Sequence, residues 1–386
     1  MSGHKVGLAI LGLGRRGGSR LKNILAANPG RVEVRWVVER DENVAKALVS
    51  QAGLDANQTN IIKPWLWDTV CKDKNVDAVV VCAPTATVNV VRRALQQGKA
   101  VMCDRPISLQ TAAILACYQT ARDASKPLLF AFPRRFDPIL SMLREKVQSG
   151  AIGQVHSVRS SSCYPSPDQD EVIKGADGIF RNCVAHEIDT ISWLLGQTPQ
   201  SVFATGFSLG IHGNQLTSGK DHVSMTLRFC SGTIATIDIR QDQHGNGHHL
   251  EMTGSQGILI VDPGHPEGTA VHCVTKSGTF IDVVKRDPSA SHMDQEFAAA
   301  TTHFLDVVQD QSVSSVTVLD TLRAAGIAAT CRESQKSTEA VAQATERPVR
   351  RPEVLLQEQL WKECAKDIDG NNDIFVRQHL LVYGNN

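Results

Sequence analysis

Two textures of apolar and polar positions divide the chain. In the first third, short and largely apolar runs recur: Val6–Leu11, Val32–Val38, Asp77–Cys82 after its first residue, Ala100–Cys103 and Leu128–Phe132. Segments of helical period separate them, Ser19–Ala27, Asn43–Gln51, Val88–Gln97 and Leu109–Arg122, with stop signals at Asn28-Pro29-Gly30 and Gly98. Strands apolar on both faces that alternate with helices predict a parallel sheet covered on both sides, a doubly wound α/β domain. Beyond it, Pro138–Ser149 and Asn182–Leu195 read as helices, and Gln154–Ser162 alternates like a half-buried strand. From about Ser201 to Val284, short alternating runs between turns predict a large antiparallel sheet with one wet face. Gln295–Val308 and Val318–Gln335 read as closing helices, and the remainder is more polar. The expected division is a nucleotide-type domain over 1–130, an α+β domain with a mostly antiparallel open sheet over 131–340, and a C-terminal extension over 341–386.

The 386 residues exceed what one compact core usually carries, which agrees with two domains. Forty basic and forty acidic residues cancel, which argues against a nucleic-acid binder. No apolar run reaches the roughly 18–20 residues of a membrane span. Ten cysteines show no C-x-x-C pair and several lie in apolar runs, as reduced core cysteines do, so a cytoplasmic location is expected. The apolar N-terminal run is followed, not preceded, by Arg15-Arg16, so it reads as a buried strand rather than a signal peptide.

Gly12-Leu13-Gly14-Arg15-Arg16-Gly17 is G-x-G-x-x-G between a predicted strand and a predicted helix. The glycines permit a tight turn, close approach of a pyrophosphate, and close helix–strand packing. The helix N-terminus then faces the phosphates. This is a dinucleotide fingerprint, and the domain reads as a Rossmann domain. Glu39, at the end of the second strand, would bond ribose hydroxyls and favour NAD over NADP, whereas Arg40 beside it could pair with a 2′-phosphate.

Four further segments carry a family resemblance: Cys82–Ser108 (CAPTATVNVVRRALQQGKAVMCDRPIS), Phe132–Pro138 (FPRRFDP), Gly178–Gly196 (GIFRNCVAHEIDTISWLLG) and Met252–Leu259 (MTGSQGIL). Together they resemble the glucose–fructose oxidoreductase and inositol 2-dehydrogenase (Gfo/Idh/MocA) family, collinearly from about residue 5 to 340. The resemblance implies hydride transfer between nicotinamide and a polyol, cyclitol or sugar-like hydroxyl carbon. It places Gly12, Gly14, Arg15, Arg16, Gly17, Glu39, Arg40, Ala83, Pro84, Thr85, Asp104 and Arg105 at the cofactor. It places Arg105, Arg159, Asn182, His186 and Asn246 at the substrate, with His186, Arg105 and Asn182 catalytic. The chain departs from the family at several of these positions. Its Glu-Lys-Pro signature is Asp104-Arg105-Pro106, its catalytic-helix aspartate is Asn182, a histidine after the third strand is Val88, and a Tyr-Gly-Tyr-Asp-like stretch is His244-Gly245-Asn246-Gly247.

On a helical wheel, Asn182, His186, Asp189 and Trp193 form a narrow stripe opposite Val184, Ile188, Ile191 and Leu195. Histidine titrates near neutral pH and suits the hydroxyl proton. Asp189 or Glu187 is placed to orient the ring, and spacing does not choose between them. Arg105 cannot act as a base and would serve as a fixed cation. His244, His248 and His249 read as a polar loop near a pocket mouth rather than a metal site. The alternatives are a cofactor-binding protein with degenerate catalysis, used in sensing or structure, and redox-assisted glycoside cleavage, which no residue singles out. A homodimer or homotetramer is expected, built on an apolar open face of the Val223–Val284 sheet.

Overall fold

A computed structural model describes residues 5–12, 17–55, 57, 59–83, 88–104, 108–165, 178–207, 222–242, 247–263, 268–285 and 291–343. In the first domain the strands are β1 (Val6–Leu11), β2 (Val32–Val38), β3 (Asn60–Ile62), β4 (Ala78–Val81), β5 (Ala100–Cys103) and β6 (Leu128–Phe130). Its helices are α1 (Gly17–Ala27), α2 (Glu42–Gln51), α3 (Trp67–Lys72), α4 (Val88–Gln96) and α5 (Thr111–Asp123). The described strands pair in parallel in the order β3-β2-β1-β4-β5-β6. That is the doubly wound arrangement, with its switch point between β1 and β4.

Burial explains the apolar runs. Along β1 successive side chains face opposite ways: Leu8 and Ile10 pack with Leu21 and Ile24 of α1. Ala9 and Leu11 join the cluster of Trp67, Val70 and Val91 on the other face. The strand β3, the 3-10 turn Pro64–Leu66 and α3 were not expected from the sequence. Three residues at a sheet edge, Asn60 exposed and Ile61 and Ile62 half-buried, leave no continuous apolar signal.

The second domain contains α6 (Pro138–Gln148), α7 (Ala185–Leu195), α8 (His292–Val308) and α9 (Val318–Gln343). Its strands are β7 (Val155–Pro165), β8 (Pro199–Phe207), β9 (His222–Phe229), β10 (Ile234–Asp242), β11 (Gly247–Gly254), β12 (Gly257–Asp262), β13 (Thr269–Thr275) and β14 (Gly278–Val284). The described strands form one sheet in the order β14-β13-β12-β11-β7-β10-β9-β8. It is antiparallel except where β10 runs parallel to β7. Helix α9 continues to Gln343, beyond the expected Gln335. Local signals set the helix ends: Asp137 caps α6 through Ile139 N at 2.7 Å with Pro138 in the first turn, and Gly196 ends α7 with φ 65°.

One face of this sheet packs against helices through Val223, Met225, Leu227, Ile237, Ile239 and Leu250. The opposite face corrects an expectation. Its middle strands present Thr236, Asp238 and Arg240 of β10 and Arg159 of β7, so it is largely polar rather than apolar. Exposed large apolar residues of the sheet are Phe203, Ile234, Phe280 and Ile281. No described helix is long and apolar enough to cross a membrane. Helices α8 and α9 return to the first domain. Arg31 pairs with Asp306 at 2.7 Å, and the Tyr118 and Thr321 hydroxyls lie 2.9 Å apart.

Candidate active site

In a doubly wound sheet, ligands bind in the crevice outside the carboxyl ends of the parallel strands, and the candidate residues gather at that edge. Gly12 follows β1 with φ +77°, and its N–H donates to Val38 O at 2.9 Å. A Cβ at this position would stand 2.6 Å from Ala83 Cβ and 2.7 Å from Ala83 Cα. Gly12 and Ala83 thus touch across the switch point, and only glycine fits there. Gly17 is the first residue of α1. Glu39 follows β2; its N–H donates to Ile62 O at 3.0 Å, and its Oε1 accepts from Arg40 N at 2.7 Å. Asp104 follows β5, is buried, and accepts from Arg20 Nη1 at 2.9 Å. Arg20 also lies 3.7 Å from Asp294 and stacks on Phe297, 4.6 Å from the ring centre. Arg20 therefore ties α1 both to the end of β5, through Asp104, and to α8. Gly14, Arg15, Arg16, Pro84, Thr85, Arg105, His244 and Asn246 lie outside the described residues.

The domain junction reaches the same edge. Phe132 comes two residues after β6, and its ring meets the His186 ring edge-on, with centroids 5.6 Å apart. The 3-10 turn Pro133–Phe136 then places two consecutive arginines against α7. Arg134 Nη1 donates to Glu187 Oε1 at 2.5 Å. Arg135 grips Asp189 with two bonds of 2.9 and 2.6 Å, and also reaches Asp320 and Ser315 O. The spacing left open which carboxylate would serve His186. In the structure Glu187 and Asp189 are both fully engaged by the arginines of the junction.

Immediately before α7 the backbone makes a π turn, Phe180–Val184, in which Ala185 N–H donates to Phe180 O. Single π turns inside helices recur at functional sites. The turn changes the expected wheel. Asn182 and His186 lie on it or just after it, whereas Asp189 is buried with Arg135, and Trp193 lies beneath Arg144 at 4.9 Å. The stripe therefore splits into an end near the crevice and an end buried in the junction. Asn182 Oδ1 is buried without a hydrogen-bond partner among the described residues. An unpaired buried acceptor calls for a donor.

A polar cluster lies under α7. Glu187, fully buried, also accepts from Ser162 Oγ at 2.6 Å, Tyr164 OH at 2.9 Å and Ser160 Oγ at 3.2 Å. His248 Nε2 is 3.2 Å from Ser160 Oγ and 3.8 Å from Glu187 Oε2. Burial alone would raise the Glu187 pKa, but Arg134, His248 and the hydroxyls outweigh it and bring it down to about 2. Burial, with Arg134 behind it, lowers His248 to about 4 against the pull of Glu187. Glu187 is a carboxylate and His248 a neutral ring near pH 7. The sequence reading is corrected here: His248 and His249 lie on β11 rather than in a loop, and His248 faces the buried cluster. Among the described residues no cluster has the makings of a metal site.

Arg159 is not brought to this site. It alternates with Ser160 and Ser162 along β7 and so points to the other face, 72% exposed and 3.5 Å from Glu251. The sequence reading passed over Arg134, Arg135, Ser160, Ser162 and Tyr164. Their visible signal was a pair of arginines between two phenylalanines, and small polar residues at alternate positions in a strand.

The NAD-binding Rossmann-fold profile of the oxidoreductase family matches residues 6–132, and the GFO/IDH/MocA C-terminal domain profile matches residues 140–260. The chain is 31% identical over 265 residues to the inositol 2-dehydrogenase of Rhizobium meliloti strain 1021, spanning 68% of this chain and 77% of that one. It is 26% identical over 321 residues to the scyllo-inositol 2-dehydrogenase (NAD(+)) of Bacillus subtilis strain 168, spanning 82% and 90%. A solved myo-inositol dehydrogenase from Corynebacterium glutamicum matches with TM-score 0.69 at 26% identity, covering 87% of this chain and 98% of that one.

Proposed function

The chain belongs to the Gfo/Idh/MocA oxidoreductase family, and on that footing we propose that it oxidises a hydroxyl-bearing carbon of a cyclitol or related polyol with NAD. The observation that carries this reading is the position of His186. Its ring rests on Phe132 at the end of β6, on the same strand-end edge as the Gly12–Ala83 contact. From β6 to β4, whose end carries Ala83, is two strand spacings, about 10 Å, a distance an extended dinucleotide can bridge.

The residues fit the cofactor. The Gly12 turn brings two backbone segments into direct contact at Ala83, an approach any Cβ would block, and a glutamate follows β2. Gly12, Gly17, Ala83 and Glu39 would hold the nucleotide, with Gly14, Arg15, Arg16, Arg40, Pro84 and Thr85 completing the site. Bound there, NAD supplies the hydride acceptor. His186 takes the proton of the reacting hydroxyl. Asn182 Oδ1 accepts a hydrogen bond from a substrate hydroxyl, satisfying its unpaired acceptor. Arg105 holds the oxygen as a permanent cation, since guanidinium does not deprotonate. With an arginine and an asparagine in place of the family's lysine and aspartate, His186 is the titrating group of this set. A degenerate, non-catalytic role draws no support from relatives named as dehydrogenases.

The test incubates the protein with NAD and a panel of inositol isomers and other polyols, following NADH absorbance. His186→Ala should lower turnover by about 10²–10⁴-fold and leave NAD affinity within about twofold. A parent protein that binds NAD yet oxidises no cyclitol or polyol, or a His186→Ala variant with full turnover, overturns the reading. Homodimer or homotetramer formation through the largely polar face of the second sheet belongs to the same proposal. Light scattering giving the monomer mass of 41.9 kDa would contradict it.

A further inference from the structure

An exposed tryptophan stands at the end of the crevice where a dinucleotide's adenosine would lie. Trp65 is 72% exposed and Leu66 48%, on the 3-10 turn that follows β3. Single exposed apolar residues are ordinary, but tryptophan is highly buried on average, so an indole this open stands apart. Its surroundings fix its location from two sides. On one side, Ile62 O at the end of β3 accepts from Glu39 N, the residue expected to meet the adenosine ribose. On the other, Trp67 is buried, and its Nε1 donates to Val90 O in the first turn of α4 at 3.2 Å. The 3-10 turn is therefore strung between the end of β2 and the start of α4. In a doubly wound sheet the adenosine half of a dinucleotide lies over those strand ends. Lys63 stands beside the indole, its Nζ 5.4 Å from the ring centre, and its charge also bears on Glu42 at the start of α2. The cation biases the ring's position without covering it.

We propose that Trp65 is the stacking platform for the adenine ring of the cofactor, oriented by Lys63. The inference rests on the NAD-dependent reading above and adds to it the residue that recognises the base. An aromatic face suits any purine and contributes affinity with little regard to the phosphates. Trp67, two residues on, anchors the turn to the core, so Trp65 is free to be replaced without disturbing that core.

The test uses the full-length protein and four probes: NAD, ADP-ribose, AMP and nicotinamide mononucleotide. Binding is read by calorimetry and by quenching of intrinsic tryptophan fluorescence, with no substrate present. Trp65→Ala should weaken NAD, ADP-ribose and AMP by about tenfold, within the range alanine scanning gives for base stacking. Trp65→Phe should recover most of that loss, while nicotinamide mononucleotide should bind all variants alike. AMP should quench the parent's fluorescence and leave Trp65→Phe nearly unchanged. Equal affinity of parent and Trp65→Ala for AMP and NAD overturns the stacking role and leaves the NAD reading intact. A uniform loss that includes nicotinamide mononucleotide overturns it in favour of a structural role for the turn. A parent that binds none of the four overturns both readings.

Discussion

His248 makes the stability of this protein depend on pH in the window between its unfolded and folded pKa values. The ring sits beside Glu187, Ser160 and Arg134, and Asp137 and His249 also bear on its charge. Burial and Arg134 lower its pKa from 6.5 to about 4. In the unfolded chain the ring takes up a proton as pH falls through 6.5; in the fold it does so only near 4. The unfolded state thus binds more protons over this interval, and stability is lost as the medium is acidified. A tenfold difference in proton affinity between the two states is worth about 1.4 kcal/mol, so moving from pH 7 to pH 5 should cost about 2 kcal/mol, approaching 3 near pH 4. Glu187, brought down to about 2, acts in a lower window, as pH falls from 4.5 toward 2. The assay is urea unfolding at pH 7.5, 6 and 5, comparing the parent with His248→Asn. The variant keeps a hydrogen-bonding side chain but does not titrate, so its curves should lie closer together by about 2 kcal/mol. If both proteins lose the same stability between pH 7.5 and 5, the group responsible is not His248.

Two other substitutions bear on the frame of the site. Gly12→Ala meets both a positive φ and Ala83 backbone atoms within 2.8 Å, so it should abolish measurable NAD binding and cost about 2 kcal/mol or more; parental affinity in calorimetry would refute this. Asp189→Ala leaves Arg135 buried with Asp320 and Ser315 O as remaining partners, which puts the expected loss at about 3 kcal/mol, the low end for a broken buried pair. An unchanged urea midpoint would show that Asp320 suffices.

Much of the first domain is legible because burial on both faces forces nearly uninterrupted apolar runs, and glycine punctuates the turn that follows β1. Its edge strand Asn60–Ile62 is not, because a three-residue, half-exposed strand has no pattern to read. The second sheet is legible as alternation, yet alternation carries no direction, so the parallel pairing of β10 with β7 is invisible before folding. The His186 helix shows its apolar face through Ile188 and Ile191, both fully buried. The π turn before it is a matter of backbone bonding, and no side-chain pattern announces it. Arg134 and Arg135 are plain in the sequence, but their partners lie 53 and 54 residues away and are chosen by tertiary packing. His248 reads as loop because Gly-Asn-Gly precedes it; pairing with Ser162 on β7 makes it strand.

The junction explains how the chain keeps His186 in register with the parallel sheet of the first domain. Residues 132, 134 and 135 contact residues 186, 187 and 189 in the same order, by an aromatic edge, one ion pair and one two-bond ion pair. Carboxylates two apart on a helix point roughly 200° away from each other. Gripping both from neighbouring residues fixes the rotation of α7 about its axis, which a purely apolar contact would leave free to slide. Because Phe132 follows β6 by two residues, that rotation is referred to the parallel sheet itself. The buried charges thus act on geometry: they hold His186 at the strand-end edge that also carries the Gly12 turn.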